Sequence, residues 1–156
     1  MKTITVFTPA YNRAYCIDQC YQSLLRQTNK AFIWLIIDDG STDNTKELVQ
    51  SWVDERAIEI KYHYQNNQGM HGAHNAAYKL IDTVLNTCID SDDFMPDNAI
   101  EKILDNWKTI ENNKKFAGLV GLDAAKDGKI IGSKMPDGLN ETTLTEIYDK
   151  HHVTGD

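Results

Sequence analysis

Two groups of carboxylates could do chemistry: Asp38-Asp39, directly after an apolar run, and Asp90-Ser91-Asp92-Asp93, after another. Like charges this close repel one another, so they persist most readily where a divalent cation or a hydrogen-bonding ligand compensates them. Hard oxygen donors suit Mg2+ or Mn2+, which keep several waters and bridge phosphate oxygens. The plainer use of Asp39, Ser91 and Asp92 is to cap the helices that follow them. Which use applies depends on the elements that carry them.

Apolar, β-branched runs alternate along the chain with helix-period stretches, the pattern of a parallel sheet with crossover helices. Residues 4–8 predict a first strand ended by Pro9, and 15–27 a helix with Ile17, Cys20, Tyr21, Leu24 and Leu25 near one face. Residues 32–37 are continuously apolar, as a strand buried on both faces requires. Ser41 or Thr42 is expected to cap a helix running to 54, with Leu48, Val49 and Trp52 facing inward. A third strand is expected over 58–64, a turn at Asn66-Asn67-Gln68-Gly69, a helix over 71–81 and a fourth strand over 83–89. Asp97 should cap a helix through Ile100, Ile103, Leu104 and Trp107. Residues 116–122 and 129–132, separated by Asp127-Gly128, predict a fifth strand and a hairpin partner, and 142–150 a short helix. The expected fold is a three-layer α/β/α sandwich on a mostly parallel central sheet, one domain over 1–156, with a C-terminal continuation beyond it. Both acidic groups then fall at the carboxyl ends of strands, where open α/β sheets bind ligands.

The chain has 156 residues, 41% hydrophobic and 25% charged, enough for one sizeable core. Sixteen Lys+Arg against 23 Asp+Glu give a formal charge of -7 with no basic run, which excludes nucleic acid as the main partner. An anionic ligand must be held locally, by backbone amides, a few basic side chains or a cation. Without an apolar run of ~18 residues or a signal peptide, a soluble, cytoplasmic protein is expected. Any peripheral membrane association would come through regions outside this chain. The three cysteines, Cys16, Cys20 and Cys88, are too few for a disulfide framework and read as buried or half-buried thiols. Trp34, Trp52 and Trp107 fall at apolar positions and read as core, while Lys114-Lys115 and His151-His152 read as surface pairs.

Four segments occur in a telling order: Thr8-Pro9-Ala10-Tyr11-Asn12-Arg13, Ile37-Asp38-Asp39-Gly40-Ser41-Thr42-Asp43, Asn67-Gln68-Gly69 leading to Ala73-His74-Asn75, and Asp90-Ser91-Asp92-Asp93. Over residues 3–110 the chain resembles family 2 glycosyltransferases with the Rossmann-like GT-A fold. The resemblance implies transfer of a sugar from a nucleoside-diphosphate sugar, a UDP-sugar first, to a hydroxyl of a saccharide or lipid-linked acceptor. It further implies Mn2+ or Mg2+, inversion, and a setting in cell-wall, capsule or other surface-polysaccharide synthesis. By the same resemblance Thr8, Pro9, Ala10 and Tyr11 would line the nucleotide pocket, with Tyr11 stacking on the base, and Asp38 and Asp39 would lie at the base or ribose. Asp90 and Asp92 match the DxD signature, with Ser91 between them; Asp92 would hold the metal that neutralises the leaving diphosphate, and Asp90 would lie near the ribose or assist.

Arg13, His71 and His74 are candidates to contact the donor. Their plainer roles are a solvated loop charge and residues at a helix start whose amides can bind phosphate unaided. His74 departs from the family pattern, which often has Arg before this Asn, while a subset of bacterial members has a His where His71 stands. The catalytic base of such enzymes lies well beyond the DxD, and Asp156 is the late candidate. A nicotinamide-binding domain would need a glycine fingerprint after the first strand, which is lacking. A phosphate-accepting receiver domain would leave the Asp90 group unexplained. A nucleotidyltransferase and a nucleotide-sugar-binding module without turnover stay as alternatives.

Overall fold

Continuous apolar runs become the two inner strands. In the computed structural model, which describes residues 2–154, β1 (Ile4–Ala10) and β2 (Phe32–Asp38) lie side by side in parallel, and only Pro9 among them is not buried. The alternating segments become the outer strands: β3 (Ile60–Tyr64) pairs with β2 and β4 (Leu85–Cys88) with β1, both parallel, giving the order β3-β2-β1-β4. Parallel neighbours need crossovers, and α1 (Ile17–Leu25), α2 (Thr45–Glu55) and α3 (Gly69–Leu80) supply them. The helix α4 (Ala99–Ile110) follows β4.

Side-chain parity splits the sheet into two faces. Ile4, Val6, Phe32, Trp34 and Ile36 join Ile17, Cys20 and Leu24 of α1, Val49 and Trp52 of α2, and Ile100 and Leu104 of α4 in one cluster. Phe7, Leu35 and Ile37 face the other way, onto Ala73 and Ala77 of α3. Helices on both faces make the expected three-layer α/β/α arrangement, and each buried aliphatic side chain contributes about 1.5–3 kcal/mol. At the centre of the larger cluster Tyr21 stacks on Trp52 at 4.2 Å between centroids, with Trp34 5.9 Å from Trp52. Gln27, 2% exposed, ties α4 to α1: its amide donates to the Pro96 carbonyl and accepts from Ile100 N–H. Burial pushes the Cys20 thiol up to about 12.

Several expectations are corrected. Residues 116–122 form no strand: Gly118 and Gly121 interrupt the apolar run and no neighbouring strand pairs with it. The expected hairpin is reduced to one antiparallel bridge, Ala124 with Ile130. Helix α2 starts after Asn44 rather than under a Ser41 or Thr42 cap, because those residues are taken up by hydrogen bonds to the β1–α1 loop. Asp97 does not cap α4, whose preceding residue is Asn98; it pairs with Arg26 at 3.1 Å instead. Cys88 is exposed, because β4 is an edge strand.

Chain contacts divide the protein into two compact units, residues 1–118 and 119–156. Within the second, Thr143 and Glu146 form a capping box that starts α5 (Leu144–Asp149), and Ile147 and Val153 are buried. Ser133 N–H donates to the Thr154 carbonyl at 2.7 Å, closing the segment on itself. Among the described residues no helix is long and apolar enough to cross a membrane.

Candidate functional site

In a parallel sheet all carboxyl ends point one way, so the loops after β1, β2 and β4 emerge at one edge. Register brings them level: Ala10 lies opposite Asp38, and Phe7 opposite Cys88, two residues before Asp90. Asp39 N–H donates to the Ala10 carbonyl at 2.8 Å, and Ile89 N–H to that of Phe7 at 3.0 Å, so both acidic groups are anchored on β1.

A clasp of side-chain hydrogen bonds joins the first two loops. Asn12, at φ 54°, accepts through Oδ1 from the N–H groups of Thr42 and Asp43, and its own N–H donates to Ser41 Oγ at 2.9 Å. Arg13 N–H donates to Thr45 Oγ1 and Ala14 N–H to Asp43 Oδ2. Burial disfavours the charged form of Asp43, but hydrogen bonds from Thr45 and Ala14 outweigh it and hold this carboxyl below the usual range. The third loop is seated closely too. At Gly40, φ +84°, a Cβ would stand 2.9 Å from Asn67 N, and at Gly72 one would stand 2.3 Å from Gln68 Cβ.

The acids divide into two kinds. Asp38 is wholly buried: Oδ1 accepts from Ser41 N–H at 2.8 Å and Oδ2 from the Tyr62 hydroxyl. Burial and then that hydrogen bond raise the Tyr62 phenol well above its ordinary pKa. Asp38 therefore builds the loop, with both carboxylate oxygens engaged within the protein. Asp39, 3% exposed, accepts through Oδ1 from Gln65 Nε2 at 2.6 Å and Gln68 N–H at 2.9 Å. Asp90 and Asp92 are exposed, and among the described residues no donor reaches either carboxylate; their carbonyls accept from Asp93 N–H and Gln19 Nε2 respectively. Ser91 between them is buried.

The remaining candidates separate in the same way. Thr8 is core: it is fully buried and its hydroxyl accepts from Trp34 Nε1–H at 2.9 Å. Pro9 and Ala10 contribute backbone at the strand end, whereas Tyr11 is 47% exposed on the loop itself. Arg13 turns toward Tyr15, donating to its hydroxyl at 2.9 Å. His71 is exposed in the first turn of α3. His74, one turn on, lies edge-on to Phe7 at 5.2 Å and 4.0 Å from Cys88 Sγ. The structure brings Tyr11, Asp39, Asp90 and Asp92 to one edge of the sheet and leaves Thr8 and Asp38 beneath it. Asp156 lies outside the described residues.

Tyr62, which donates to Asp38, and Gln65, which donates to Asp39, carry no motif of their own, whereas Gln68 lies in the Asn67-Gln68-Gly69 segment. For Tyr62 and Gln65 the available signal was position, since both sit on or just after the strand next to β2.

The Glycosyl transferase family 2 model matches residues 5–115, more than half of the chain. Hyaluronan synthase of Pasteurella multocida is 33% identical over 152 residues, covering 95% of this chain and 15% of that protein. Among solved structures, S. aureus TarS 1-349 in complex with UDP gives a TM-score of 0.65 at 24% identity, covering 70% of this chain and 33% of that one. A mannosyltransferase from Pyrobaculum calidifontis in complex with GDP-Man and Mn2+ gives 0.56 at 23% identity, covering 60% of this chain and 28% of that one. The chain thus spans a third or less of the length of each. With the matched residues running from β1 past the end of α4, across every loop just described, the chain belongs to glycosyl transferase family 2 and carries its GT-A fold.

Proposed function

We propose that this chain is the donor-binding part of a glycosyltransferase that takes a nucleoside-diphosphate sugar, a UDP-sugar first, and passes the sugar to an acceptor hydroxyl with inversion, in cell-surface polysaccharide synthesis. The observation that carries the reading is the division among the carboxylates. Asp39 is aimed by two internal donors beside exposed Tyr11, whereas Asp90 and Asp92 reach solvent with no protein donor among the described residues. Nucleoside and diphosphate ask for different things: the base for a fixed acceptor and a flat surface, the phosphates for positive charge. The first pair suits the base and the second suits a hard cation.

The donor set fits Mn2+ or Mg2+ on chemical grounds, since both ligands are carboxylate oxygens open to water. Among the described residues no group of three or more His, Cys, Asp and Glu converges on one point. Asp92, with Asp90, would then hold a cation that phosphate oxygens and water complete, which is the usual habit of Mg2+. Such a cation neutralises the charge that develops on a leaving diphosphate. The chain's own contribution is to fix Asp39 and Tyr11 for the nucleoside, so that the donor is oriented before an acceptor arrives. A saccharide or lipid-linked hydroxyl is the acceptor class this chemistry needs.

Calorimetric titration with UDP, with and without Mn2+, tests the reading. Binding should strengthen with Mn2+, and Asp92→Ala should abolish that gain while leaving the metal-free affinity near wild type. Absence of any nucleotide binding sinks the proposal; an undiminished Mn2+ effect in Asp92→Ala removes Asp92 from the metal site.

A further inference from the structure

An ionised carboxylate oxygen has two lone-pair sites, and at Asp39 both sites of Oδ1 are filled. Gln65 Nε2 donates to it at 2.6 Å and Gln68 N–H at 2.9 Å. The arrangement is built in. Gln65 N–H donates to the Asp38 carbonyl at 2.9 Å, fixing its backbone at the end of β3. Gly72 allows the close approach of Gln68, because a Cβ there would stand 2.3 Å from Gln68 Cβ. Oδ2 is different. Among the described residues no donor reaches it and no fully buried side-chain oxygen lacks a partner, so this atom keeps a small opening to solvent although Asp39 as a whole is buried. Asp39 therefore offers a ligand one acceptor atom rather than two.

Bases differ in how many donors they present on one edge. Uracil has a single imide N3–H flanked by two carbonyls, whereas guanine has N1–H and the N2 amino group side by side, a pair that both oxygens of one carboxylate satisfy together. We propose that Gln65 is a specificity-determining residue: by occupying Oδ1 of Asp39 it leaves an acceptor for one base N–H, favouring uridine over guanosine diphosphates. The inference rests on the reading above that Asp39 meets the base of the donor. Guanine set against Asp39 would leave one of its two donors facing a saturated oxygen, and an unpaired polar group in a contact costs more than a formed one returns.

The test is calorimetry of UDP and of GDP, each with Mn2+, on the full chain and on Gln65→Leu and Gln65→Met, with melting temperatures recorded to confirm that both variants fold. Wild type should bind UDP at least tenfold more tightly than GDP, and the variants should lose about tenfold in UDP affinity and a similar factor in the UDP to GDP ratio. Wild-type protein that binds neither diphosphate overturns the donor reading, and this one with it. A wild type that binds GDP as tightly as UDP overturns the specificity assignment alone, whatever the variants do. So does a folded Gln65→Leu or Gln65→Met that keeps the full UDP preference.

Discussion

Asn12 closes the first loop onto the second through Thr42: its Oδ1 accepts the Thr42 backbone N–H at 2.7 Å and stands 3.3 Å from the Thr42 hydroxyl. The bond is possible because Asn12 adopts φ 54°, a left-handed conformation that Asn tolerates better than most residues.

Replacing Asn12 separates backbone from side chain. Asn12→Gly keeps the backbone and loses the acceptor, costing about 1 kcal/mol, whereas Asn12→Ala adds left-handed strain for a total of about 2–3 kcal/mol. Urea denaturation of both variants checks the order; an Ala variant no worse than the Gly variant would mean that strain plays no part.

Thr8 should matter to stability and not to ligand. Thr8→Val keeps the shape and strands the buried Trp34 indole N–H, a loss of about 1–3 kcal/mol. Its nucleotide affinity, measured well below the melting temperature, should match wild type, and a specific affinity loss would return Thr8 to the pocket.

Arg56, just past α2, sits at φ 57° with no glycine to accept that conformation. Arg56→Gly should stabilise the protein by about 0.5–1 kcal/mol, because glycine takes the left-handed cap without the side-chain penalty. Denaturant midpoints compare the two directly.

Acid should loosen the clasp through Asp43. Its carboxyl is held below the usual range in the folded protein, so its stabilisation is fully present above the unfolded value of about 3.9 and is lost as pH falls through the lower, folded value. Asp43→Asn should be less stable than wild type at neutral pH, and the gap should close on acidification below about pH 4. A gap that is constant with pH would show that the charge contributes nothing.

Much of the fold was legible. The apolar run 32–37 could only be an inner strand, and the amphipathic segments between strands could only be crossovers. The run 116–122 misled because glycines count as neutral in a hydropathy pattern yet give a strand nothing to pack. At the site the acidic pairs were visible, but their division of labour was not. Asp38 follows the parity of Phe32, Trp34 and Ile36 into the sheet's core face, as Thr8 follows Ile4 and Val6. A motif match treats both as pocket residues, whereas alternation along the strand already turned them inward. Gln65 had only its place after the third strand as a signal, since its hydrogen bond to Asp39 exists because β3 ends beside β2.

All three tryptophans, Trp34, Trp52 and Trp107, belong to the first of the two compact units. Indole emission is therefore an optical signature of that unit alone, and the Tyr21–Trp52–Trp34 stack lies on the sheet face opposite the α3 layer. A fluorescence melt follows the sheet-bearing unit as if residues 119–154 were dark, while far-ultraviolet dichroism sees α5 as well. Two melting curves from one sample thus give a label-free way to ask whether the units come apart together or in turn.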